Sequence, residues 1–254
     1  MKNKNFLFII LVFIIFLLVF FVIEFLPYNE NKDVVTNYIQ FSCRKDLGIC
    51  EYDGKICFKN YLDTTYGKIL YNPIYCDTNI ELNSSCKKPK SCAIYFTGIG
   101  CPHCAKVDPY LFYRFIPNNE LIVIEYEVYK SKDGAKTMDW YINNIRKDFK
   151  FAGIPQIYFN NDLTLIGDLP ILQNLYSYFI QSDGICEINI IKKVIFNETQ
   201  EANDNDNIWF SGNPKIWYCD RVLIIKNNSI PSEEFIRAFF SEKLDIEYIK
   251  EKFS

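Results

Sequence analysis

A single histidine, His103, stands in a chain of 254 residues, so any His-ligated metal site or Ser-His-Asp catalysis would rest on that one imidazole. Surplus positive charge is also lacking. The 28 Lys and Arg stand against 31 Asp and Glu for a net charge of −3, whereas a nucleic-acid binder needs excess cations to neutralise phosphates. Nor is the composition that of a disordered chain: 49% of residues are hydrophobic, enough apolar surface to offset the entropy of ordering. No internal repeat is visible. Cysteine is what the chain has in quantity. Its ten Cys are too few for a knottin-like scaffold and too many for an ordinary cytosolic protein.

The N-terminus assigns a compartment. Residues 6–23 read FLFIILVFIIFLLVFFVI, an unbroken apolar run. As a helix it spans about 27 Å, close to the ~30 Å hydrocarbon core of a bilayer. Lys2 and Lys4 precede it and Glu24 and Glu30 follow, so the positive-inside rule keeps the N-terminus cytoplasmic and exports the remainder. A cleaved signal peptide is the alternative, but its apolar region is usually about 7–15 residues long and ends in a small-residue site, and EFLPYNE offers none. The expectation is a single-pass membrane protein with an uncleaved signal anchor and an extracytoplasmic body. Export accounts for the cysteines, because disulfides persist outside the cytoplasm. Sequons at Asn83, Asn197 and Asn227 would lie on the exported side, but so Asn-rich a chain produces such triplets by chance.

Four segments follow: a cytoplasmic stub and anchor (1–27), a cysteine-rich region (28–90), a regular central domain (91–182) and a C-terminal extension (183–254). In the second, ICEYDGKICF predicts a hairpin about Asp53-Gly54 that sets Cys50 across from Cys57. The central domain predicts a buried strand at 93–97, a helix opened by a Cys pair, a strand at 121–129 and a helix over 136–149 with Met138, Tyr141, Ile142 and Ile145 on one face. Two short strands about 160–162 and a helix over 169–181 complete the order β-α-β-α-β-β-α, a mixed sheet with helices on both faces. In the extension, EINIIKKVIF reads as a strand, 208–226 as a hairpin turning at Gly212-Asn213, and 232–252 as an amphipathic helix capped near Ser232 and Glu234. The acidic stretch 201–206 reads as a solvated loop, and Trp140, Trp209 and Trp217 as packing aromatics. The eight cysteines outside the central pair allow 105 pairings. Cys186–Cys219 is the pairing expected to staple the extension.

The chemistry concentrates at Cys101-Pro102-His103-Cys104, directly after a buried strand and at the start of a helix. A thiol attacks only as thiolate, and a helix N-terminus, a nearby imidazole and a second thiol one turn on all lower its pKa, in such settings to about 3.5–7.5. Pro102 suits a first helical turn, where its missing N–H leaves nothing unpaired. Two inert readings compete: a structural disulfide, or half of a zinc site completed by cysteines such as Cys86 and Cys92, which lack tight CxxC spacing. The strand–CxxC–helix context favours redox chemistry, with no metal and no cofactor.

With that motif in place, the chain resembles the thioredoxin superfamily over about 90 residues, 93–182. Pro109 sits where thioredoxins kink the active-site helix. Gly153-Ile154-Pro155 looks like the cis-proline loop that faces the Cys pair and pairs with an extended substrate. Ile166-Gly167-Asp168-Leu169 resembles the bend before the last helix, and the CPHC dipeptide is similar to that of DsbA-type oxidases. Only 50 residues separate Cys104 from Pro155, too few for the DsbA helical insertion. The resemblance implies a thioredoxin-like fold in which Cys101 attacks or holds a mixed disulfide, Cys104 resolves it and His103 tunes the thiolate. It makes Ile154, Pro155 and Pro102 the substrate-binding positions. Where the family carries a buried acid, six residues before the first Cys, this chain has Tyr95; where an aromatic is frequent, it has Thr97. The expected substrates are exported cysteine-containing proteins, with a membrane or small-molecule redox partner and no nucleic acid. Disulfide donation is the leading activity. The alternatives are reduction or isomerisation by the same pair, and a non-catalytic thioredoxin-like binding module.

Overall fold

The strand that the sequence marks most plainly is the centre of the molecule. The computed structural model describes residues 41–44, 49–52, 56–75, 86–146, 153–159, 163–182, 188–197, 206–226 and 228–254, all within the unit Tyr38–Ser254. The strands are β1 (Phe41–Arg44), β2 (Ile49–Tyr52), β3 (Ile56–Asp63), β4 (Gly67–Tyr75), β5 (Ser91–Thr97), β6 (Leu121–Glu127), β7 (Gln156–Tyr158), β8 (Thr164–Ile166), β9 (Lys215–Tyr218) and β10 (Arg221–Ile225). They form one sheet in the order β1-β2-β3-β4-β10-β9-β6-β5-β7-β8. The helices are α1 (Cys104–Tyr110), α2 (Lys132–Asn144), α3 (Asp168–Gln181), α4 (Asn189–Phe196), α5 (Asp206–Trp209), α6 (Glu233–Phe239) and α7 (Ile246–Phe253).

Strand β5 is buried at every residue, its polar ends Ser91 and Thr97 included, as a central strand covered on both faces must be. It pairs in parallel with β6 and antiparallel with β7. Alternation along β5 sends Cys92, Ile94 and Phe96 into one core with residues of α2, α4, α6 and α7. Ala93 and Tyr95 enter a second core with residues of α1 and α3. The expected mixed sheet with helices on both faces is therefore present, and strands from 28–90 and 183–254 extend it on the β6 side.

Several local expectations are corrected. Helix α2 starts at Lys132, ahead of the expected 136, because Ser131 caps it: its Oγ accepts the Gly134 N–H at 2.9 Å. A side chain at 134 would collide with the Glu127 carbonyl, so glycine belongs in that first turn. Residues 189–196 form α4, not a strand; Ile188, Ile191 and Ile195 share one buried face, a helical spacing beneath a β-branched composition. The C-terminal hairpin turns at Cys219-Asp220, with Cys219 at φ 51°, and Gly212-Asn213 leads instead from α5 into β9. The terminal helix is two, α6 and α7, with Ser232 and Asp245 each capping one through a side-chain oxygen. In the N-terminal hairpin Glu51, not Cys50, lies opposite Cys57, and Cys50 lies opposite Cys43. Cys219 is bridged to Cys86, overturning the expected Cys186–Cys219 pair; the Tyr218 hydroxyl donates to the Lys87 carbonyl at 2.6 Å beside the bridge.

Among the described residues no helix is long and apolar enough to cross a membrane. The apolar run 6–23, the Asp53-Gly54 turn, Cys76, Cys186, residues 160–162 and 201–205, and the sequons at Asn83 and Asn227 lie outside the described residues.

Candidate active site

The Cys101–Cys104 pair sits where β5 gives way to α1. After Thr97 the chain passes Gly98 and turns through Ile99-Gly100, with Gly100 at φ 87° and the Cys101 N–H donating to the Gly98 carbonyl at 3.0 Å. Cys101 and Cys104 form a disulfide with Cα atoms 5.3 Å apart. The Cys104 N–H, the first of α1, donates to Cys101 Sγ at 3.2 Å, so a backbone dipole already points at the sulfur that would carry a thiolate charge. Pro109 lies inside α1, where its missing N–H removes an i→i−4 bond, and the helix passes into a π turn at Leu111–Phe115.

Against this pair lies the Gly153-Ile154-Pro155 loop, whose Ile154–Pro155 bond is cis. The Ile154 carbonyl oxygen is 3.8 Å from Cys101 Sγ. The Pro155 carbonyl accepts the Gly167 N–H at 2.8 Å, tying the loop to the bend before α3. A Cβ on Gly98 would come within 2.7 Å of both Ile154 Cδ1 and the Tyr129 ring, so the end of β5 approaches the loop only as glycine. Four predicted site residues, Cys101, Cys104, Ile154 and Pro155, are thus gathered in one place. Both cysteines are buried, at 3% and 1% exposure, while Pro102 and His103 face solvent. The His103 side chain is 61% exposed, and its Nδ1 lies 3.2 Å from Asp168 Oδ1.

Four carboxylates outside the predicted site residues, Asp168, Asp108, Glu125 and Glu127, lie about this centre. Asp168, the first residue of α3, also takes Lys106 Nζ at 2.8 Å on Oδ2. The Lys106 hydrogen bond, helped by those from His103 and the Leu169 N–H, outweighs its partial burial and holds its carboxyl down at about 2. Asp108, on α1 one turn beyond Cys104, is buried. Its Oδ1 accepts the Tyr95 hydroxyl, and its Oδ2 lies 3.3 Å from Thr97 Oγ1. Burial pushes the Asp108 carboxyl well above the usual carboxylate range; the Tyr95 hydrogen bond opposes this and the charge of Glu125 adds to it. Glu125, also buried, is held by Lys215 Nζ and the Trp217 indole N–H, each at 2.7 Å. Glu127, at the end of β6, accepts four backbone N–H groups, from Ile99, Tyr129, Lys130 and Ser131, at 2.6–3.0 Å.

The signals for these residues were faint. Asp108 was legible as an acid at i+4 from Cys104, whereas nothing in the sequence couples Asp168 to His103 across 65 positions. Cys86 and Cys92, the thiols weighed as further zinc ligands, are both in disulfides. A cavity of about 410 Å³ lined by Lys90, Asn119, Tyr176 and Phe179 lies elsewhere, and no predicted site residue borders it. Compared with protein-family models, with curated proteins and with solved structures, the chain gives no match.

Proposed function

We propose that this chain is a membrane-tethered, extracytoplasmic thiol–disulfide oxidoreductase with a thioredoxin-like central domain, donating disulfides to exported proteins. The observation that carries the reading is the convergence of a strand–CxxC–helix disulfide with a cis-proline loop whose Ile154 carbonyl lies 3.8 Å from Cys101 Sγ. A client thiolate attacks Cys101 Sγ, the Cys101–Cys104 bond breaks, and Cys104 leaves as thiolate. A second client thiolate then attacks the client sulfur of the mixed disulfide and releases Cys101 as thiolate. Two electrons pass from client to pair, and a partner disulfide must take them away for another cycle. The Cys104 N–H on Cys101 Sγ stabilises the released charge. Asp108, buried on the same helix face as Cys104, is the acid placed to exchange a proton with it, because i and i+4 side chains stack and lean toward the N-terminus. The run 6–23 supplies the tether.

The burial of both sulfurs favours a second reading, a thioredoxin-like binding module in which the same disulfide is only a staple. Titration of the full chain in detergent with glutathione buffers, with mass-spectrometric mapping of each bridge, separates the two. The oxidoreductase reading expects the 101–104 pair to exchange at a potential above the glutathione couple while Cys86–Cys219 stays closed. A pair that never exchanges refutes it.

A further inference from the structure

We infer that Asp168 sets the oxidising power of the Cys101–Cys104 pair by withholding the charge of Lys106 and the imidazole of His103 from the Cys101 sulfur, an inference that rests on the oxidoreductase reading above. The sequence CPHCAK places a histidine two residues and a lysine five residues after Cys101, a hydrogen-bonding imidazole and a cation that would strengthen a thiolate and so favour the dithiol. In the folded chain neither side chain is left to the sulfur alone. Asp168 Oδ1 lies 3.2 Å from His103 Nδ1 and Oδ2 lies 2.8 Å from Lys106 Nζ, one carboxylate spanning both. The carboxylate itself is only 12% exposed, whereas both partners are about 60% exposed, so the anion is the fixed member and its partners come to it. It is fixed from behind as well: Gly167, the residue before it, donates its N–H to the Pro155 carbonyl, so Asp168 is registered against the same loop that faces Cys101. A cation paired this closely with an anion presents little field to a third charge. The pair is therefore less oxidising than its dipeptide alone would make it.

The reaction that reads this is the pair's disulfide plus two glutathione thiols giving the dithiol plus glutathione disulfide, a two-electron exchange balanced in thiols. In the full chain in detergent, Asp168→Asn leaves Lys106 unopposed, and the equilibrium constant for this reduction rises about threefold to tenfold, roughly 14 to 30 mV toward oxidising. Lys106→Gln, an exposed position that tolerates exchange, removes a cation and moves the constant the opposite way. Asp168→Glu restores the wild-type value within about twofold. These opposite signs separate charge from scaffolding, because both neutral variants break the same α1–α3 tie. If Asp168→Asn and Lys106→Gln shift the constant in the same direction, or if the wild-type pair exchanges and Asp168→Asn leaves it unchanged, the inference falls while the oxidoreductase reading stands. If the wild-type pair never exchanges, both fall.

Discussion

Replacing Asp108 by asparagine should stabilise the protein at neutral pH and do so less as the pH falls. Asparagine is nearly isosteric, and its carbonyl oxygen can keep the Tyr95 hydroxyl as donor. What it removes is an ionisable group in a buried site beside a second buried acid, Glu125. Because the folded carboxyl titrates well above its unfolded value, Asp108 contributes fully below the unfolded pKa of about 3.9 and loses that contribution as pH rises toward its folded range. Across that window each pH unit costs the wild type up to about 1.4 kcal/mol relative to the variant. A net gain of about 1 kcal/mol at pH 7 would raise Tm by roughly 2–4 °C in a chain of this size. Calorimetry of both proteins with disulfides intact, from pH 3 to pH 8, gives the answer. A Tm difference that stays flat over this range, or a variant less stable than wild type at pH 7, would show that the carboxyl is ionised in the fold and would overturn the proton-exchange role given to it.

Other perturbations follow from the same geometry. In Cys104→Ser the Cys101 thiolate should attack a client disulfide, release the client's other sulfur as thiolate and stay trapped as a mixed disulfide, detectable as a reducible adduct by mass spectrometry, whereas Cys101→Ser should trap none; adducts of equal yield would overturn the assignment of Cys101 as the exchanging sulfur. Asp168, held at about 2, contributes stability above its unfolded range that is lost as pH falls from about 4 to 2. After screening at its exposed partners this is on the order of 1 kcal/mol, so Asp168→Asn should flatten acid unfolding in that window. Glu127→Ala should leave four loop N–H groups to solvent, so amide exchange at Ile99, Tyr129, Lys130 and Ser131 should quicken about tenfold, the equivalent of one net hydrogen bond. Unchanged exchange there would mean that the loop is held by packing alone.

What the sequence disclosed and what it hid divide along a physical line. Strand β5, the CxxC turn, the cis Ile154–Pro155 loop and the Ser232 cap are written in contiguous residues, and all are found. Helix α4 misled because Ile and Val carry strand propensity while the face they bury here repeats at helical spacing, and eight residues are too few for composition and period to be told apart. The 219–220 turn misled for another reason. Gly212-Asn213 has ordinary turn chemistry, and Cys219 can hold φ 51° in a context where the bridge to Cys86 fixes it, a contact 133 residues away.

The site shows the same division with more at stake. Tyr95 and Thr97 occupy the positions where the resembling family carries a buried acid and an aromatic, and from sequence alone they read as losses. In the fold both reach toward one carboxyl that belongs to the opposing helix, Asp108. A buried acid on the helix that begins at Cys104 is therefore supplied from α1 rather than β5, with the hydroxyls of the strand as its partners. The inventory of a motif records which groups its own segment carries. Electrostatics depends on which groups arrive at the site, so a position that looks vacant can be filled from across the core by a residue whose local spacing never announces it.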